Sequence, residues 1–208
     1  QKKLTSGSVF KNLIFFSLPF FLSYFLQTLY GMADLYIIGK FGGVADIRRI
    51  IGSQVMHMLT VMIVGLAMGA TVTVSQFIGA GKKREASNSV GNTATLFMVV
   101  SVVLTLLLVC LVSPITRVMA TPEEAVSGTK AYLTVCFIGI PFITAYNIIS
   151  AVFRGIGDSK SPMYFIAAAC LANILLDVLF MGVFNMGPVG AALGTTLSQA
   201  ISVVISFV

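Results

Sequence analysis

The chain has 208 residues, of which 57% are hydrophobic and only 10% charged, with a mean hydropathy of +0.99. A water-soluble domain is excluded by that balance, which belongs in a bilayer. The 13 basic and 7 acidic residues give a net charge of +6, and in so apolar a chain that excess sets topology rather than binding nucleic acid.

A membrane-spanning helix needs about 20 mostly apolar residues. Six such runs follow one another, at about 12–38, 50–80, 89–112, 131–153, 163–184 and 189–208. Strands of a membrane barrel would be about 9 to 11 residues long with alternating polarity. The expected fold class is therefore an all-α integral membrane protein, a single six-transmembrane-helix bundle spanning residues 1–208. The joins hold breakers and charges: Gly42 with Gly43, Gly79 to Glu85, Pro114 to Glu124, Gly155 to Pro162, and Asn185 to Pro188. Inside the runs, Pro19, Gly65, Gly69, Gly139 and Pro141 are tolerated as membrane helices tolerate them, allowing kinks and close approach. Pro19 marks the first helix for bending. Cys110, Cys136 and Cys170 each lie in an apolar run without metal or disulfide spacing, and read as buried small hydrophobes. No charged-then-apolar segment with a small-residue cleavage site precedes the first run, so a cleaved secretory signal is not expected.

Placing the N-terminus in the cytoplasm puts eight basic residues inside (Lys2, Lys3, Lys11, Lys82, Lys83, Arg84, Arg154 and Lys160) against five outside, in line with the positive-inside tendency. The expected location is the cell membrane, as a multi-pass protein. The last run ends at Val208 without a flanking charge or aromatic anchor, the pattern expected of a fragment or of one lobe of a two-lobed protein.

Ionisable groups inside the apolar runs carry the functional signal, because an Asp near a helix centre costs about 2.5 to 3.5 kcal/mol to insert. Asp34 and Asp177 are the two acids so placed, each toward the outer end of its helix. Gln27, Tyr30 and Asp34 fall at i, i+3 and i+7, and Asn173 and Asp177 at i and i+4, so each set occupies one helix face. Thr195 and Thr196 on the sixth helix, with Asn147 and Ser150 on the fourth, can add oxygens for a proton or a sodium ion. Two carboxylates close together in a low dielectric titrate as a coupled pair unless a cation neutralises them. The plainer alternative is that Asp34 is wetted at a helix end while Asn173 and Asp177 hold helices together. His57 reads as a hydrogen-bonded packing residue. Gly79 to Glu85 lacks the order of a phosphate loop. With no hydrolase motif, nucleotide fingerprint or metal-ligand set elsewhere, neither an enzyme nor a cofactor beyond a coupling ion is expected.

Longer motifs add specificity in combination: Q-x-x-Y-x-x-x-D-x-x-x-x-G from Gln27 to Gly39, M-G-A-T-V-x-V-S-Q-x-x-G-A-G from Met68 to Gly81, F-R-G-x-G-D-S-K-x-P-M from Phe153 to Met163, N-x-x-x-D from Asn173 to Asp177, and G-x-x-G-A-A-x-G-T from Gly187 to Thr195. Over essentially its whole length the chain resembles the N-terminal lobe of multidrug and toxic compound extrusion (MATE) transporters. The resemblance implies a twelve-helix antiporter whose two six-helix lobes face each other across a cavity and export drugs in exchange for protons or sodium ions. It implies a cation site at Asp34 and Asp177, with Asn173, Thr195 and Asn147 beside them, and Gln27 and Tyr30 as candidates for the substrate cavity. It further implies that cation entry bends the first helix near Pro19. The partners implied are the lipid bilayer, small-molecule drugs and a second six-helix lobe. Asp46, Ile47, Arg48 and Arg49 stand where relatives usually carry small apolar residues. The alternatives are a lipid-linked oligosaccharide flippase, or a non-transporting lobe that needs a partner half.

Overall fold

The computed structural model describes residues 8–41 and 45–207, with side chains for all of these except 30, 34, 35, 38–41 and 45–51. Seven α-helices follow in order: α1 (Val9–Phe41), α2 (Ala45–Gly79), α3 (Lys83–Val118), α4 (Glu123–Ile138), α5 (Ile140–Gly155), α6 (Lys160–Asp177) and α7 (Gly187–Ile205). A single wide π-helical segment, Val178–Val183, continues α6 directly. Five helices are long and apolar enough to cross a membrane, six when α4 and α5 are taken as one bent span. The outer surface is aliphatic and aromatic, with Leu106, Leu171, Leu175 and Val204 exposed, while Ser150, Asn173, Asp177, Ser198 and Ser202 are buried. This inversion of the water-soluble pattern is what a lipid solvent selects.

Several boundaries differ from the sequence expectation. Basic residues are not confined to the joins: α2 already includes Asp46 to Arg49 in its backbone, and α3 takes in Lys83 and Arg84. At its far end α3 continues through Pro114 as far as Val118. The expected fourth run is two helices, bent by 42° at Gly139. Pro141 explains the break, because it has no N–H to give the Phe137 carbonyl one turn back. That carbonyl instead accepts a hydrogen bond of 3.1 Å from the Thr105 hydroxyl of α3. A side chain at Gly139 would meet Thr196 Oγ1 of α7 at 2.6 Å, so the bend is where α7 crosses. Gly42 and Gly43 lie outside the described residues.

Small residues set the helix spacing. Ala67, Ala70 and Ala151 form a buried contact between α2 and α5. A Cβ on Gly155 would approach Thr71 O and Val74 Cβ to 3.0 Å. The Thr71 hydroxyl crosses the same seam to donate to the Ala151 carbonyl at 3.1 Å. The main apolar core, built from Leu59, Ile63, Val112, Leu133, Phe137, Ile140 and Ala192 among others, joins α2, α3, α4, α5 and α7. Two minor expectations are corrected here: Cys110 is exposed while Cys136 and Cys170 are buried, and His57 lies on the outer face of α2 instead of packing between helices.

The turn into α6 is held by Asp158. Its Oδ1 accepts from the backbone N–H groups of Lys160 and Ser161 at 2.9 and 3.1 Å, and its Oδ2 accepts from the Ser161 hydroxyl at 2.6 Å. Partial burial pushes the carboxyl up, but the Ser161 hydroxyl, these N–H groups and the Lys160 charge outweigh it and hold it below 3.8. A depressed carboxyl contributes stability above its unfolded value and loses it as pH falls through the folded one. Asp158→Ala is therefore expected to cost about 1 kcal/mol at neutral pH, with the difference from wild type vanishing in melts taken below the carboxylate range. Thr105→Val should cost about 1 kcal/mol by orphaning the Phe137 carbonyl, while Thr105→Ser keeps wild-type stability in detergent melts.

Candidate cation site

One stripe of α6 faces inward: Ile166, Ala169, Cys170, Asn173 and Asp177 are buried, at spacings of three and four residues. Asp177 is 0% exposed and Asn173 1%. α7 runs antiparallel to this stripe, as three contacts along it show. Gly194 stands against Asp177, and Ser198 and Gln199 share a narrow cleft with Asn173 and Cys170. One further turn along, the Ser202 hydroxyl donates to the Phe165 carbonyl at 3.1 Å. Gly194 is the condition for the first of these contacts, because a methyl group there would collide with Asp177 Oδ1. Asp177 is also the last α-helical residue before the π-helical segment. Wide turns of this kind are frequent at functional sites.

α1 runs parallel to α6. The Cys170 thiol reaches the Leu26 carbonyl at 3.6 Å, an offset of 144 residues. Ile37 and Met181, separated by the same offset, belong to one buried cluster with Ala191 and Ile174. That register brings the backbone turn of Asp34 level with residue 178, beside Asp177. The side chains of Asp34 and Tyr30 lie outside the described residues. Gln27 is half-buried, and Pro19 is buried within an α1 that continues through it as helix.

The remaining expected members are placed unevenly. Thr195 is half-buried next to Gly194, its carbonyl accepting from the Ser198 hydroxyl at 2.8 Å. Asn147 is buried on α5, where its amide donates to the Ile143 carbonyl of its own helix at 2.8 Å. It does not line the α6–α7 cleft, whose walls are Ile166, Ala169, Cys170, Asn173, Ser198 and Gln199.

Sequence reasoning missed Gln199. Its Oε1 is buried without a hydrogen-bond partner among the described residues, as are both amide atoms of Asn173. Buried amide groups left so cost about 1 to 3 kcal/mol each, so Gln199 adds a second polar side chain to the cleft that holds Asn173. The signal available in the sequence was the spacing Thr195–Gln199, one helical turn on the same face.

Chemically the arrangement offers hard oxygen donors around a carboxyl removed from water. An ionised carboxylate costs far more to bury than a protonated one. Oxygen donors of this type suit protons and hard cations rather than soft metals. Overpacking the Asp177 contact should be costly: Gly194→Ala is expected to lose about 1 to 3 kcal/mol in detergent melts. Gly65→Ala, where a methyl group meets open space, should not lower the melting temperature.

Comparison with known proteins agrees with this architecture. The family model MatE matches residues 19–179. The "Probable multidrug resistance protein YpnP" of Bacillus subtilis is 34% identical over 199 residues, covering 95% of this chain and 45% of that protein. The "Multidrug export protein MepA" of Staphylococcus saprophyticus is 27% identical over 202 residues, covering 94% of this chain and 44% of that protein. The crystal structure of a proline-to-alanine mutant of a MATE transporter superposes with a TM-score of 0.91 at 26% identity, covering 98% of this chain and 46% of that one. The chain thus spans about half the length of the curated relatives it matches. With the family model covering most of its residues and the bundle superposing on a solved member, the chain belongs to the MatE family.

Proposed function

We propose that this chain is the N-terminal half of a secondary active multidrug efflux transporter, which exports cationic or amphipathic drugs in exchange for protons or sodium ions. The observation that carries the reading is the fully buried Asp177, seated against Gly194 with Asn173 one turn away, in a chain of a family whose relatives are named for multidrug resistance and export. A carboxyl in that position gives a coupling cation a place to bind inside the lobe. Asp34, brought level by the α1–α6 register, is the second acid of the site, and Thr195 and Asn173 supply neutral oxygens. Asn147 has a weaker claim, because its amide N–H is already committed to its own helix.

In this reading, occupation of the acidic site by a cation alters how α1 packs on α6, with Pro19 as the point where α1 can flex. Drug is then released from a cavity shared with a second six-helix lobe, for which Gln27 and Tyr30 are the candidate substrate residues. The N-terminus lies on the cytoplasmic side. In support, Arg154, Lys160 and the turn carrying Lys82, Lys83 and Arg84 gather at one end of the bundle, where Gly155 abuts Thr71 and Val74.

The test uses the complete transporter. Asp177→Asn and Asp34→Asn should each reduce resistance to a cationic drug to the level of cells without the transporter, while membrane abundance stays at the wild-type level. Wild-type resistance from both variants would remove the acidic pair from the mechanism. Exchange assays with a sodium gradient and a proton gradient applied separately then identify the driving ion.

A further inference from the structure

Arg154 lies in the last turn of α5, its guanidinium 5.4 Å from the centre of the Phe20 ring on α1, with Tyr146 and Tyr24 within electrostatic range. Its Nε is buried and makes no hydrogen bond among the described residues. A guanidinium cannot shed its charge in a protein, so an anion beside it is favoured.

Among the described residues no acid stands beside Arg154. Glu85 is bonded to Lys82 at 3.3 Å, and both oxygens of Asp158 are taken by Ser161 and the backbone of Lys160. Glu123 and Glu124 open α4, at the opposite end of the bent α4–α5 span. At 1.5 Å per residue, Asp177 lies about 25 Å along α6 from Lys160, Asp34 about 21 Å along α1 from Phe20, and Asp46 about 42 Å along α2 from Val74. These seven are all the acids in the sequence, and residues 1–7, 42–44 and 208 contain none. An anion beside Arg154 therefore has to be sought outside the described residues.

We propose that Arg154 is the centre of a binding site for the phosphate of an acidic membrane phospholipid. The contact of Gly155 with Thr71 and Val74 puts Arg154 just inside the end of the bundle formed by the α2–α3 and α5–α6 turns, the level of lipid headgroups. Lys82, Lys83, Arg84 and Lys160 stand exposed at that end, and its two acids are already engaged. The resulting positive rim selects headgroups with net negative charge. A guanidinium matches a phosphate through paired N–H···O bonds. Exposed Ile156 and Tyr164 beside the turn offer apolar surface for the upper acyl chain, with Tyr164 placed as interfacial tyrosines are.

The experiment uses the purified chain in neutral detergent, with phosphatidylglycerol, phosphatidylcholine or inorganic phosphate added separately. Native mass spectrometry reads lipid retention and thermal melting reads protection. Wild type is expected to retain phosphatidylglycerol in preference to phosphatidylcholine and to melt several degrees higher with it, with no protection by inorganic phosphate. Arg154→Gln should lower phosphatidylglycerol retention at least fivefold, and Arg154→Lys should fall between. Arg117→Gln, at the opposite end, should match wild type. Equal retention of the two lipids by wild type, equal phosphatidylglycerol retention by wild type and Arg154→Gln, or full protection by inorganic phosphate alone would each overturn the proposal. If Arg154→Gln does not fold, the lipid preference of wild type against Arg154→Lys decides.

Discussion

In a lipid solvent every backbone carbonyl and N–H must find its partner inside the protein, and this lobe is arranged around the places where a single helix cannot meet that demand alone. Pro141 removes the donor that the Phe137 carbonyl would have used, and Thr105 supplies a replacement from α3. Thr71 and Ser202 likewise reach carbonyls of neighbouring helices. Hydroxyl groups on one helix therefore fix the position of the next, and the apolar contacts then fill what those bonds have spaced.

Glycine does the complementary work of letting helices come close enough for such bonds to form. Gly139, Gly155 and Gly194 each face an atom of another helix at a distance that leaves no room for a methyl group. Two of these contacts lie within a single turn of α7: Gly194 meets Asp177, and Thr196, two residues on and on the other side of the helix, meets Gly139 at the bend between α4 and α5. α7 is thus held between the buried carboxyl and the bent span, so a displacement at one contact is felt at the other through a rigid helix.

Much of this was legible in the sequence, and the exceptions have physical reasons. The helical bundle follows from the length of the apolar runs, and Asp177 with Asn173 from the cost of placing them there and from their shared face. The helix boundaries were less legible, because charge marks where the membrane ends rather than where hydrogen bonding stops; Lys83, Arg84 and Arg117 sit on helix that extends past the apolar stretch. The break at Gly139 was readable as a Gly and a Pro two residues apart, but not as a bend, since the Thr105 bond that permits it joins residues 32 apart in the sequence. Gln199 was missed because a lone amide in an apolar run has the same appearance whether it faces lipid, a helix or a site. Gly194 was visible only as a motif letter until its contact with a carboxylate gave it a role.

The π-helical segment has a bearing on how the end of α6 is phased. Successive α-helical residues are turned by about 100°, and a wide turn accommodates an extra residue without lengthening the path, so the azimuth of everything after Asp177 is offset from that of the stripe before it. Leu171, Leu175 and Asn173 are oriented by one phase, and Phe180, against which Gly190 packs, by another. A single-residue deletion within Val178–Val183 would merge the two phases and swing the chain entering α7 by about a quarter turn or more around the axis, carrying Gly194 away from the carboxyl. Asp177 thus stands at a phase boundary, where chain length rather than side-chain identity decides which residues it can meet.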